Sequence, residues 1–141
     1  MTAHKFIISI FLSAGLAAAA DLALDDYWQL SVLRLELAAQ EWQARITAVQ
    51  RANGDRKAFL ARNDAISKEF AGYHRTLHGK YGTTPQDYIR FGSAHAREVD
   101  SYLSAEEHAD LKRTIEQQRD RVQSLMQRFD TAAAALLKEE K

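Results

Sequence analysis

The sequence predicts an all-α protein, and three observations predict it. After residue 20 the chain is dominated by Ala, Leu, Arg, Glu, Gln and Lys, all good helix formers. Apolar residues recur at steps alternating between four and three, the rhythm of a helix with one face buried. The chain has 6 glycines and 1 proline, and its two clear breaks, Asn53-Gly54 and the run from Gly79 to Pro85, are built around them. No stretch combines strict alternation with β-branched enrichment, so strands are not expected. Short connections favour antiparallel neighbours. The expected architecture is an up-and-down antiparallel four-helix bundle or an elongated helical hairpin with coiled-coil seams.

Helix one is expected over about 26–52, capped by Asp25 or Asp26 and stopped by Gly54 in the left-handed region. Its seam is Trp28, Val32, Leu35, Ala39, Trp42, Ile46 and Val49, with Leu30, Leu33 and Leu37 beside it. Tyr27, Trp28 and Trp42 read as core or interface aromatics. Helix two, about 55–78, begins at the cap Asp55 and carries Phe59, Ile66, Phe70, Tyr73 and Leu77. Asn63 occupies a seam position there; such a polar residue either sets register at a cost in stability or marks where the helix leaves the core.

Helix three, about 85–102, has the clearest start, with Thr84 as cap, Pro85 at the first helical position and Asp87 reaching back. Its inner face is Tyr88, Phe91, His95, Val99 and Tyr102. Ser104-Ala105-Glu106-Glu107 then reads as a capping box, placed either at a sharp turn or at a bend. Helix four, about 105–137, has the seam Leu111, Ile115, Gln118, Val122, Leu125, Phe129, Ala132 and Leu136. It spans about 50 Å against about 27 Å for helix three, so the two cannot be matched partners. The distal seam of Val122, Leu125, Phe129 and Leu136 is therefore the expected interaction surface, covered by helices one and two, by a second copy or by a client protein.

The first twenty residues read differently. Met1 to Lys5 carries one fixed positive charge, Phe6 to Ala20 carries none, and the run closes on four alanines before Asp21. This is the layout of a secretory signal peptide, 1–20, followed by a single helical domain, 21–141. A permanent span needs about twenty apolar residues, more than this stretch offers. The chain has 0 cysteines, which excludes disulfides, thiol catalysis, thiolate metal sites and a lipid-modified N-terminus. The product is expected to be exported, periplasmic in a double-membrane cell, with no stable membrane anchor after cleavage. Acidic and basic residues number 19 each, and their signs alternate along the chain. No basic stripe forms, so nucleic acid is not an expected partner.

His74 and His78 lie four apart on one helix face, a spacing at which two imidazoles clamp zinc or copper. They are the candidate metal residues. The same positions also suit the dipole at a helix end, which needs no metal. His95 reads as a hydrogen-bonded core histidine, and His108 lies in the acidic first turn of helix four. No nucleophile elbow, phosphate loop or dinucleotide fingerprint occurs, so no catalytic or cofactor-binding residue is assigned.

The five residues Leu103-Ser104-Ala105-Glu106-Glu107 resemble the Leu-Thr-x-x-Gln motif of the periplasmic Spy and CpxP stress-response family, with Ser for Thr and Glu for Gln. Members are small, helical and exported, and some act as ATP-independent chaperones. What the resemblance implies matches the expectation from the helical seams. That expectation is an exported, non-catalytic helical protein acting by protein–protein binding in the cell envelope, as a chaperone-like or adaptor module. Two alternatives stand beside it: a small periplasmic metal-binding or metal-sensing protein using His74 and His78, and a self-assembling structural coiled coil, for which a homodimer would suffice.

Overall fold

A computed structural model describes residues 22–138, and the expected signal peptide lies outside the described residues. These residues form five α-helices and one 3₁₀ turn, with no strand among them. The protein is all-helical. We label the helices α1 Leu24–Ala52, α2 Arg56–Gly79, α3 Pro85–Ala94, α4 Ala96–Ser104 and α5 Ala109–Leu137, the 3₁₀ turn Glu106–His108 preceding α5. None of them is long and apolar enough to cross a membrane.

The local chemistry explains most of the boundaries. α1 starts on Ala23 without a side-chain cap, so neither Asp25 nor Asp26 caps it. Both sit in the first turn instead, where a carboxylate favours the dipole without bonding an orphan N–H. Asn53, at φ 48°, makes the left-handed C-cap one residue before the glycine expected to do so, and Gly54 follows at φ 86°. Asp55 Oδ1 then accepts from Ala58 N at 3.0 Å and opens α2. Thr84 Oγ1 accepts from Asp87 N at 3.1 Å to open α3, with Pro85 following it. The Asp87 carboxylate does not reach back; it pairs with Arg90 at 3.2 Å.

Two expectations about the second half need correction. The segment expected as one helix over 85–102 is two, because His95 leaves helical geometry at φ −117°, ψ 31°. The capping box at Ser104 does not form: Ser104 is the last residue of α4, and Ala105 turns the corner at ψ 141° with no side-chain bond to the next turn. The local pattern was satisfied in sequence, but the chain spends those residues on a corner.

Packing gives the directions of the long helices. Trp28 near the start of α1 shares a cluster with Phe91, Val99 and Ile115, from α3, α4 and the first half of α5. Ala48 near the end of α1 packs with Phe59 at the start of α2 and Leu136 at the end of α5. So α2 runs antiparallel to α1 and α5 runs parallel to it. α3 and α4 together close the end at which α1 begins. Trp28 Nε1 donates to the Val99 carbonyl at 3.1 Å, tying that cap to the body. Gly92 makes room there: a Cβ on it would lie 2.6 Å from the Tyr27 hydroxyl, and Tyr27 stacks on Tyr88 at 4.6 Å.

The distal seam of α5 is spent inside the chain. Leu125 and Leu136 are buried, and half-buried Val122 and Phe129 pack beside them. Leu125 meets Ala39, Ile46 and Trp42 of α1, while Phe129 bridges to Phe59 of α2. Those contacts bury Leu125 and Leu136 and leave Val122 and Phe129 partly exposed. Along α2 the inner face drifts. Phe59, Ile66 and Phe70 are buried as expected, but Tyr73 is exposed and His78 takes the interior position. Steps of four from Phe70 through His74 to His78 keep pace with α1 where the heptad step to Tyr73 and Leu77 does not.

Candidate functional site

The chemistry of the molecule lies on the face where α1 meets α2. On α1, Arg34, Glu41 and Arg45 recur at steps of seven and four; on α2, Asn63, Ser67, His74 and His78 recur at four, seven and four. Both sets therefore form stripes along one helix face, and antiparallel packing lays one stripe against the other.

Arg45 is the hub of this layer. Its Nη1 donates to Asn63 Oδ1 at 2.6 Å, and its Nη2 donates to Glu41 Oε2 at 2.7 Å and to Ser67 Oγ at 2.9 Å. The seam asparagine thus meets an arginine from α1. Three partners for one buried guanidinium offset much of its desolvation. The other carboxylate oxygen of Glu41 faces His74 Nε2 at 3.8 Å.

The candidate metal residues His74 and His78 lie together, their ring centroids 6.2 Å apart, but they do not share an environment. His78 is fully buried. Its Nδ1 donates to the His74 carbonyl at 2.6 Å, since a carbonyl can only accept. That fixes the tautomer and leaves Nε2 as a bare lone pair, buried and without a hydrogen-bond partner. Its ring edge meets Tyr88 at 5.7 Å. Burial holds both imidazoles below the usual histidine pKa; Glu41 opposes this at His74, and the positive charge of Arg34 reinforces it at both. Among the described residues no three of His, Cys, Asp and Glu are grouped to hold a metal ion.

Arg34 closes the stripe towards α3. Its guanidinium lies 4.0 Å from the centre of the Tyr88 ring, a cation–π contact, and its Nε is buried without a partner. Arg34 and His74 border two spaces. One, about 530 Å³, opens between the end of α2 and the start of α3 and includes Arg75, Thr83 and Thr84. The other, about 290 Å³, runs inward past Tyr27, Ser31 and Arg119. Inside it, Ser31 Oγ bonds to the Tyr88 hydroxyl and to the Tyr27 carbonyl. Burial and the neighbouring Tyr88 push the Tyr27 phenol above its ordinary pKa.

A third and larger space lies away from this polar face. It is a groove of about 620 Å³ along the second half of α1, bordered by Ala39, Ala44 and Ala48 and by Arg51, Arg62 and Arg121.

The other two histidines among the described residues sit at helix junctions. His95 is not in the core: its side chain is 41% exposed and faces Glu98 at 3.7 Å, because the break between α3 and α4 turns it outward. His108 stacks on Tyr102 at 3.8 Å, with Nδ1 on the Tyr102 carbonyl. Sequence reasoning missed Arg34, Glu41, Arg45 and Ser67, since charged and hydroxyl residues on a helix read as solvated. The signal was present as a shared seven-and-four spacing on two successive helices.

No family model, no curated protein and no solved structure matches this chain.

Proposed function

We propose that the mature chain works in the cell envelope as a non-catalytic binding module that takes an acidic segment of another protein in the groove on α1. The observation that carries this reading is the groove's composition. Five alanines line it, at 39, 44, 48, 52 and 58, with Gln40, Gln43 and Thr47 between them, so that a partner backbone can approach closely, and three arginines border it with no carboxylate among the lining residues. Arg62 reaches Glu69 at 3.9 Å, outside the groove, and Arg51 and Arg121 form no ion pair among the described residues. Such a rim steers and orients an acidic helix or strand, while the small-residue floor supplies contact area.

Export enters this reading through residues 1–20, whose charge and small-residue pattern is that of a cleaved signal. The body is taken as a helical bundle complete within one chain, because the α5 seam packs on α1 and α2. Fluorescence anisotropy with a labelled acidic amphipathic peptide and its basic counterpart tests the groove. The acidic peptide is expected to bind, with affinity falling as salt rises, and Arg51→Glu with Arg121→Glu is expected to abolish binding. Equal binding of both peptides, or an unaffected double variant, overturns the reading. Sedimentation across concentrations separates client binding from self-association, since a concentration-dependent dimer would make a second copy the occupant.

A further inference from the structure

The cleft between the end of α2 and the start of α3 carries a second inference, independent of the groove. About 530 Å³ in volume, it is lined by Arg34, Arg75, His74, His78 and the hydroxyl residues Thr83 and Thr84, with no carboxylate among its lining residues. That volume lies in the range of small-molecule sites and exceeds what a bare ion needs.

Three features of this cleft lack a counterpart among the described residues. Arg34 forms no ion pair among the described residues, although its Nε is buried and Tyr88 holds its guanidinium plane. A part-buried cation without a counter-charge is costly unless an anion arrives. Glu41, which faces His74 at 3.8 Å, is already engaged by Arg45 at 2.7 Å. His78 presents a buried acceptor lone pair at Nε2 with nothing donating to it. Thr84 and Pro85, at the first turn of α3, add the positive end of a ten-residue helix to the same wall.

We infer that this cleft binds a phosphomonoester. Arg34 and Arg75 neutralise the phosphate, the Thr84 hydroxyl donates to its oxygens, the Thr83 hydroxyl joins it by giving up its 3.4 Å bond to the Thr84 carbonyl, and the organic part fills the remaining space. The lone pair of His78, which a movement of the ring must uncover because Nε2 is buried, selects among anions. Near neutral pH a phosphomonoester still carries a proton part of the time, its second pKa being about 6, and that P–O–H is the donor Nε2 lacks. Sulfate and carboxylate offer only acceptors at that pH. A metal cation is the poorer occupant, because two arginines border the space.

Imidazole and backbone amide NMR on the full folded chain tests the inference, at constant ionic strength, with inorganic phosphate, glycerol phosphate, sulfate, acetate and zinc as probes. Phosphate and glycerol phosphate are expected to shift the His78 ring and the Thr83 and Thr84 amides saturably, at least tenfold more tightly than sulfate or acetate. Arg34→Gln should weaken this at least tenfold. Arg75→Gln, on an exposed side chain, should weaken it without touching the core and carries the test if Arg34→Gln unfolds. Arg90→Gln should leave it unchanged. No saturable shift with either phosphate, equal affinity for acetate, or an Arg75→Gln chain that binds as wild type would overturn the inference. Zinc shifting both imidazoles where phosphate shifts neither would overturn it too, and would make the cleft a metal site.

Discussion

The two long interfaces of α1 are made of different materials. Towards α5 it offers Ala39, Trp42 and Ile46 to Val122, Leu125 and Phe129, an apolar seam. Towards α2 the middle of the interface is Glu41 and Arg45 against Asn63, Ser67 and His74. Apolar contact is non-directional and scales with area, so the α5 interface supplies stability yet tolerates sliding. Hydrogen bonds to a guanidinium are directional, and a slip of one turn leaves buried donors and acceptors unmade. The α2 interface therefore defines register more than it adds stability. The contrast also separates the grooves: the alanine groove opens beside the apolar half, the cationic cleft at the end of the polar one.

The largest effect expected from breaking this comparison is on the apolar side. Leu125→Ala removes a side chain that is 7% exposed between Ala39 and Ile46 and should cost about 3 kcal/mol of unfolding free energy. Urea denaturation reads it directly. A loss no greater than that of a surface change would remove Leu125 from the core and return the α5 seam to the list of docking surfaces.

Arg45→Ala should cost about 2 kcal/mol, because Glu41, Asn63 and Ser67 lose a partner they share. The sharper test is the pair Arg45→Met with Asn63→Leu. Apolar replacement of both partners should restore most of the midpoint while broadening or doubling the amide spectrum, as alternative registers become accessible. A restored midpoint with one sharp set of resonances would show that the polar layer does not define register.

Gly92→Ala should cost about 1–2 kcal/mol, since the new methyl would meet the Tyr27 hydroxyl at 2.6 Å. In a Tyr27→Phe background most of that penalty should vanish. If it persists there, the close approach is not its cause.

A smaller effect concerns pH. The folded pKa of His78 is lowered, first by burial and then by the charges of Arg34 and His74, against the hydrogen bond to the His74 carbonyl; His74 is lowered too, with Glu41 opposing. The unfolded state then binds more protons than the folded one below the unperturbed value of about 6.5. Stability should be full above that pH and fall as pH drops through the folded values. Midpoints measured from pH 7.5 down to 5 should show this decline, flattened in His78→Gln; parallel curves for the two proteins would refute it. At the bottom of the scale, Arg113→Ala removes an exposed partner of Asp110 at 3.1 Å and should change the midpoint by less than about 0.5 kcal/mol.

Residue order alone determined the helical class, the breaks at Asn53-Gly54 and Gly79–Pro85, the caps at Asp55 and Thr84, and the burial of Trp28, Ile46, Phe70 and Leu125. These rest on interactions within a few residues, or on a face pattern that holds whichever partner covers it. Tertiary structure decided what depended on the partner. Corner geometry undid the capping box at Ser104, a break at His95 turned an expected core histidine outward, and packing on α1 and α2 buried Leu125 and Leu136. The polar stripe joining Arg34, Glu41 and Arg45 to Asn63, Ser67, His74 and His78 belongs with these. Its charged residues Arg34, Glu41 and Arg45 read alone as solvated helix side chains, and only antiparallel packing of α1 on α2 withdraws water from that face and makes the charges answer one another.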